Sequence, residues 1–247
     1  MADRSTPHGP RSSGVEARTR GGWVPVGTAA DRRANHSANG TDQGRRTRLK
    51  LIDAARRIFE RVGYFDASIE DIVAEAQVAR GSFYTYFPDK VSVFRILGEE
   101  VNQAILDAVS AHPTEGGIDV IQRLDQSNRR FIAVYRQNAA IYGLIEQVGT
   151  IDAELRAARL RGRTAHVRRV TASIERWQSR ALMDPTVDAR TTAAQLVSMT
   201  SNFCYWWFVG GEEHDEERAA TVLTHTWVRT LNLHSRPQKA LQQSPST

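Results

Sequence analysis

The chain has 247 residues, 40% hydrophobic and 25% charged, with a formal net charge of +5, enough to bury the core of one large domain or two smaller ones. No run approaches the ~18 apolar residues of a membrane span, and "MADRSTPHGPRSS" lacks the apolar centre of a secretory signal, so a cytoplasmic protein with no membrane partner is predicted. Cys204 is the single cysteine, which excludes an internal disulfide and a Cys-type zinc site and reads as a buried small hydrophobe.

Charge is unevenly placed. Residues 1–44 carry six Arg against four Asp and Glu, residues 45–61 seven Lys and Arg against two, and residues 62–247 twenty against twenty-two. A local basic excess is the electrostatic footprint of nucleic-acid binding, although a solvated helix face has the same composition. Residues 1–44, rich in Gly, Ser, Thr, Arg and Pro around a small island at Trp23, predict a disordered basic extension. It is either a flexible arm that adds DNA affinity or dispensable.

From Arg45 the apolar residues Ile52, Ala55, Phe59 and Val62 recur at helical spacing, and Gly63 supplies the left-handed residue that ends a helix. Ser68 followed by Asp71 reads as a capping box, opening a second helix that buries Ile69, Ile72, Val73 and Ala76. After "QVA" at 77–79 a third helix runs from Arg80 to about Phe87, where Pro88 stops it, and Asp89 caps a fourth helix starting near Lys90. Two short helices joined by a tight turn are the plan of a helix-turn-helix, whose second helix enters the major groove. Val78 and Phe83 face the core, leaving Arg80, Ser82, Tyr84 and Tyr86 to the outside, while Gly81 lets the helix approach DNA closely.

Residues 45–95, through "DASIEDIVAEA" and "GSFYTYFPDK", resemble the DNA-binding domain of the TetR family of bacterial transcriptional repressors. The resemblance implies that Arg80, Gly81 and Ser82 lie against base edges and that Tyr84 and Tyr86 touch phosphates or thymine methyls. It implies a phosphate contact for Lys90 and a backbone-proximal place for Ser68. Arg45, Arg46 and Arg48 are read as phosphate or minor-groove contacts, and a solvated helix start would look similar. Arginine suits bidentate pairing with guanine, and lysine suits phosphate. Two positions depart from the family pattern: Gln77 stands where a turn glycine is common, and Ala79 where a capping Ser or Thr is common.

Beyond Lys90 the pattern predicts five or six further helices, with breaks at "AHPTEGG" (111–117), near Gly149, at "MDPTVD" (183–188) and at "GGEEHD" (210–215). "QLVSMTSNFCYWWFV" is apolar nearly all round, the mark of a helix buried on more than one side. The acidic "EEHDEE" suits the positive end of a last helix that presents Val222, Leu223, Trp227, Val228 and Leu231. The fold class is therefore all-α: a helix-turn-helix domain at 45–90, a larger helical domain at 91–235 and a disordered tail at 236–247.

In TetR relatives the last two long helices pair with a second copy, and the larger domain encloses a small-molecule pocket. The resemblance thus implies a homodimer on double-stranded DNA at an inverted-repeat operator, released by an effector. Candidate pocket walls are Phe131, Tyr135, Tyr142, Ile145, His166, Trp177, Phe203 and Trp207. With Arg156, Arg159 and Arg163 near the face of His166, a lipophilic, acyl-CoA-like effector is one reading and a solvated arginine face the other. No catalytic constellation occurs: there is no phosphate-binding glycine loop, no His-Glu-x-x-His and no Cys–His arrangement. His214 among Glu212, Glu213 and Asp215 reads as a solvated loop before a helix cap. Neither an enzyme nor a cofactor is predicted; the competing function is a DNA-binding structural protein that needs no effector.

Overall fold

A computed structural model describes residues 41–110 and 119–235. Among these residues there are nine helices and no strand: α1 (Asp42–Asp66), α2 (Ile69–Ala76), α3 (Arg80–Tyr86), α4 (Lys90–Ser110), α5 (Val120–Gln137), α6 (Ala139–Gly149), α7 (Ala153–Ser179), α8 (Ala189–Phe208) and α9 (Glu216–Leu231). The all-α expectation holds.

Local chemistry sets most helix ends. The Thr41 hydroxyl accepts from Gly44 N at 3.0 Å, so α1 starts at Asp42. Residues 42–44 are therefore helical, which corrects the disorder expected for them; a Thr cap followed by an acidic first-turn residue supplies the start. Residues 1–40 of the expected extension, with Trp23, lie outside the described residues, as do the "AHPTEGG" break and the tail from 236. Helical dihedrals are interrupted at Gly63 (φ 83°, ψ 171°), a conformation closed to residues with a Cβ, and α1 kinks there before its last turn. Four later helices, α5, α7, α8 and α9, open with an aspartate, Asp119, Asp152, Asp188 and Asp215, whose carboxylate accepts from a first-turn amide.

The apolar faces fill two adjoining cores. The first joins Leu51, Ile58 and Phe59 of α1, Ile72 and Val73 of α2 and Phe83 of α3 to Phe94 and Leu97 of α4, with Ile141, Ile145 and Val148 of α6 closing it. The second packs α5, α7, α8 and α9 around Phe131, Ile132, Ile174, Cys204 and Trp227. The helix α4 belongs to both, through Val93, Phe94, Leu97 and Val101 on one side and Ile105 on the other. A displacement of α4 in one core is thus felt in the other, because close-packed interiors transmit strain.

Among the described residues no helix is long and apolar enough to cross a membrane.

Candidate nucleic-acid interface

The α2–α3 unit is held by its own short-range chemistry. Ser68 Oγ accepts from Asp71 N at 3.1 Å while Ser68 N donates to Asp71 Oδ2 at 3.0 Å, the reciprocal pairing of a capping box. Those hydrogen bonds hold the Asp71 carboxyl below the usual carboxylate range. Ser68 is therefore first a cap, sited at the start of α2.

At the end of α2, Gln77 takes the left-handed conformation (φ 55°, ψ 47°), and its N–H and that of Val78 return to Ala74 and Val73 carbonyls. The turn geometry that glycine favours is therefore kept by a glutamine. Ala79 is the N-cap of α3 and makes no side-chain cap bond.

The helix α3 buries Phe83, and Phe87 is buried just beyond its end. Its outer side carries Arg80, Gly81 and Tyr84, all exposed, with Ser82 half-exposed. A Cβ built on Gly81 would meet nothing within 4 Å, so this side opens onto free space. Tyr86 is half-buried against the first core, and of the two tyrosines Tyr84 is the outward one.

Arg80 is not idle in the free protein. Its Nη1 lies 2.6 Å from Glu70 Oε1 on α2, and its guanidinium sits 6.0 Å from the Tyr84 ring centroid. The Tyr84 hydroxyl and then Glu70 raise its pKa further.

Lys90 departs most from expectation. Its ammonium donates to the carbonyls of Tyr64 (2.7 Å) and Ala67 (2.7 Å) and stands 4.5 Å from the Tyr64 ring. Burial lowers its pKa. It ties the start of α4 to the end of α1, and a phosphate would have to compete for it.

At the start of α1, Arg45 pairs with Asp42, Arg46 is exposed, and Arg48 lies 5.6 Å over the Phe87 ring, next to the end of α3. Glu70, which orients Arg80, was not anticipated. A carboxylate ten residues before an arginine has no helical periodicity to flag it; only the turn brings the two together.

Comparison with known proteins agrees with this geometry. Residues 51–96 match the model of the bacterial regulatory proteins of the tetR family. The chain's N-terminal helix-turn-helix is of the tetR-family type.

Over 73 residues, 30% of the chain, it is 37% identical to the uncharacterized HTH-type transcriptional regulator TtgW of Pseudomonas putida, a stretch that spans 48% of TtgW. In fold it is similar to Salmonella enterica GusR (TM-score 0.64, 18% identity, 78% of this chain and 99% of GusR). It is also similar to a tetR-family transcriptional regulator from Streptomyces coelicolor (TM-score 0.62, 18% identity, 75% and 80%). Residues 51–96 thus match the N-terminal region of the bacterial regulatory proteins of the tetR family, and the remaining helices share the fold of the solved regulators.

The remaining helices enclose two cavities, of about 460 and 450 Å³, that share Phe131 and His166. These two rings stack at 5.6 Å between centroids and form the partition. Burial, then the nearby Arg163 and Arg169, lowers the His166 pKa to about 4, so the imidazole is neutral near pH 7. Trp177 lines the first cavity; Tyr135 and Tyr142, stacked at 4.3 Å, line the second.

Three expected wall residues lie elsewhere. Ile145 is in the first core beneath Gly98. Phe203 and Trp207 form a separate cluster, with His214 packed 4.9 Å from the Phe203 ring. They lie on faces of α6 and α8 that turn toward other helices, a distinction invisible to apolar spacing.

The expected arginine wall is kept in part, since Arg159 and Arg163 line the second cavity beside His166 while Arg156 lines neither. Arg156 donates to the Gly149 and Thr150 carbonyls, Arg159 pairs with Glu146 at 2.5 Å, and Arg163 donates to Ser198 Oγ at 2.9 Å. The first cavity has a different set of cations, Arg123, Arg169, Arg176 and Arg180.

Proposed function

We propose that this protein is a cytoplasmic transcriptional regulator that binds an inverted-repeat operator as a homodimer and leaves it when a small molecule enters its larger helical domain, residues 91–235. The observation that carries the reading is the outer side of α3. Arg80, Gly81 and Tyr84 are displayed there with clear space before them, over a helix anchored from behind by Phe83 and Phe87. Base contacts fall to Arg80, Gly81 and Ser82; Tyr84, Arg46 and the start of α2 at Ser68 meet the backbone, where helix N-termini favour phosphate.

One recognition helix reads too few bases for specificity, and a two-fold dimer doubles the site. A surface suited to a second copy lies along α8 and α9, where Met199, Trp206 and Val222 are exposed. A groove of about 340 Å³ runs between them, lined by Met199, Phe203, Val222 and Leu223. Apolar area of this kind is characteristic of association surfaces.

Transmission would run through α4, which shares both cores. Arg95 of α4 is tied to Asp152 at 2.8 Å and to Glu154, and Arg56 of α1 donates to Asn138 at 3.1 Å. A structural protein without an effector would leave the two cavities without a role.

The deciding experiment uses Gly81→Ala. The free protein has room for the methyl, and replacing a helical glycine stabilises by ~0.5–1 kcal/mol, so this variant folds normally. Its DNA affinity should fall, because the methyl occupies space that the duplex would enter. Full affinity for selected duplex sites would place the DNA elsewhere. Selection from random duplexes should return inverted repeats, and Val222→Glu should both split the dimer in sedimentation and weaken operator binding.

A further inference from the structure

We infer that the first cavity takes an anionic amphiphile: an apolar body held inside, and a carboxylate or phosphate held at a mouth of arginines. The inference rests on the proposed effector role of the larger domain and adds the chemistry of the ligand.

Four arginines line this cavity, Arg123 from α5 and Arg169, Arg176 and Arg180 from α7 and its C-cap, and no Asp or Glu is among its lining residues. Spacings of seven and four place the last three on one helix face. Their surroundings differ from those of the arginines that cross-link the helices. Arg56, Arg57, Arg95, Arg129 and Arg159 each hold a carboxylate, whereas among the described residues no ion pair engages Arg169, Arg176 or Arg180. Arg176 has only the Ser173 hydroxyl, at 2.8 Å.

Like charges gathered on one face repel, and a concave, low-dielectric site focuses their field. A bound anion relieves that repulsion, and guanidinium forks match carboxylate and phosphate oxygens.

Behind the arginines the wall carries Phe131, Val170, Trp177 and Trp227, and the buried polar Asn128 and Thr200 among them donate to Thr224 Oγ1 and the Leu196 carbonyl. The indole N–H of Trp227 is already spent on Thr200 Oγ1 at 3.1 Å, so its ring meets a ligand as an apolar surface. At about 460 Å³ the space lies within the ~300–1,000 Å³ typical of small-molecule sites. The partition formed by His166 carries no charge near pH 7, so the positive charge is confined to the arginines.

The test uses the full-length protein and three probes of one chain length: dodecanoate, dodecyl phosphate and dodecanol, each below its micellar concentration. Trp177 and Trp227 line the cavity, so intrinsic fluorescence reports occupancy directly. At least one of the two acids should saturate the signal at a concentration tenfold or more below dodecanol, and the tighter acid shows whether carboxylate or phosphate is preferred. In Arg169→Gln/Arg176→Gln that advantage should collapse while dodecanol binding is unchanged and the far-ultraviolet circular dichroism is retained.

Equal affinity for acid and alcohol, unchanged acid affinity in the double variant, or no saturable binding by either acid would each overturn the inference. Binding is read without DNA, so its outcome is independent of the regulatory proposal. An acid that binds through the arginines and leaves operator affinity unaltered would confirm the site chemistry and count against effector release.

Discussion

Arg80 Nη1 and Glu70 Oε1 stand 2.6 Å apart across the turn between α2 and α3, with the guanidinium also near the face of Tyr84. The helix that would read bases therefore holds its arginine in a ready-made pair in the free protein. Glu70 restrains Arg80, and its charge also opposes the approach of phosphate. The two residues are predicted to respond in opposite directions. Arg80→Ala should lower affinity for the selected site by roughly tenfold or more and relax preference at one position per half-site, with little change on random duplex. Glu70→Gln should tighten binding to both kinds of duplex and narrow the difference between them. Anisotropy titrations at fixed salt check both; equal losses on selected and random DNA for Arg80→Ala would remove its base-reading role.

Lys90 makes a different kind of prediction from that of a phosphate ligand. Its ammonium satisfies three carbonyls left over where α1 ends, those of Tyr64, Phe65 and Ala67. Lys90→Met keeps the stem and deletes the donor, and it should cost roughly 1–3 kcal/mol of folding stability in urea denaturation. The slope of log affinity against log salt should stay as in the wild type. A slope reduced by about 1 per subunit, with stability unchanged, would return Lys90 to the phosphate.

The turn itself is under-optimised. Gln77 carries a Cβ in the left-handed region, and Ala79 leaves the first turn of α3 without a side-chain cap. Gln77→Gly removes the Cβ strain but loosens the unfolded chain, so a net gain of up to ~1 kcal/mol is expected. Ala79→Ser should add ~0.5–2 kcal/mol through the missing cap. Thermal melts of the DNA-free protein measure both, and the effects should be smaller together than summed if the turn and cap relax as one unit.

His166 gives the fold a pH dependence of definite sign. Its folded pKa is near 4 and its unfolded value near 6.5, so between these the unfolded chain binds the extra proton. The contribution is complete above about pH 6.5 and is lost as the pH falls toward 4, with a span of roughly 3 kcal/mol. His166→Leu should flatten this part of the stability profile relative to the wild type, as read by urea unfolding across the window. Parallel wild-type and variant profiles would mean that the imidazole is not shielded from solvent.

The sequence alone determined the helices of the reading head, because their ends are written in neighbouring residues. The pairing of Ser68 with Asp71, the break at Gly63 and the Pro88–Asp89 step act over three or four positions, and periodic Ile72, Val73 and Phe83 leave one way to bury them. The family resemblance rested on the same short stretch, and the matched residues 51–96 fall almost wholly within it. Tertiary structure alone decided what lies between helices far apart in the chain. Whether Lys90 faces solvent or the Tyr64 carbonyl depends on how α4 meets the end of α1. Whether Trp207 borders a cavity or a ring cluster, and which arginines reach the mouth of the first cavity, depend on how α5, α7, α8 and α9 cross. Apolar spacing says which face of a helix turns inward. A cavity forms where two inward faces fail to fill the space between them, and that mismatch belongs to the pair of helices and not to either sequence segment.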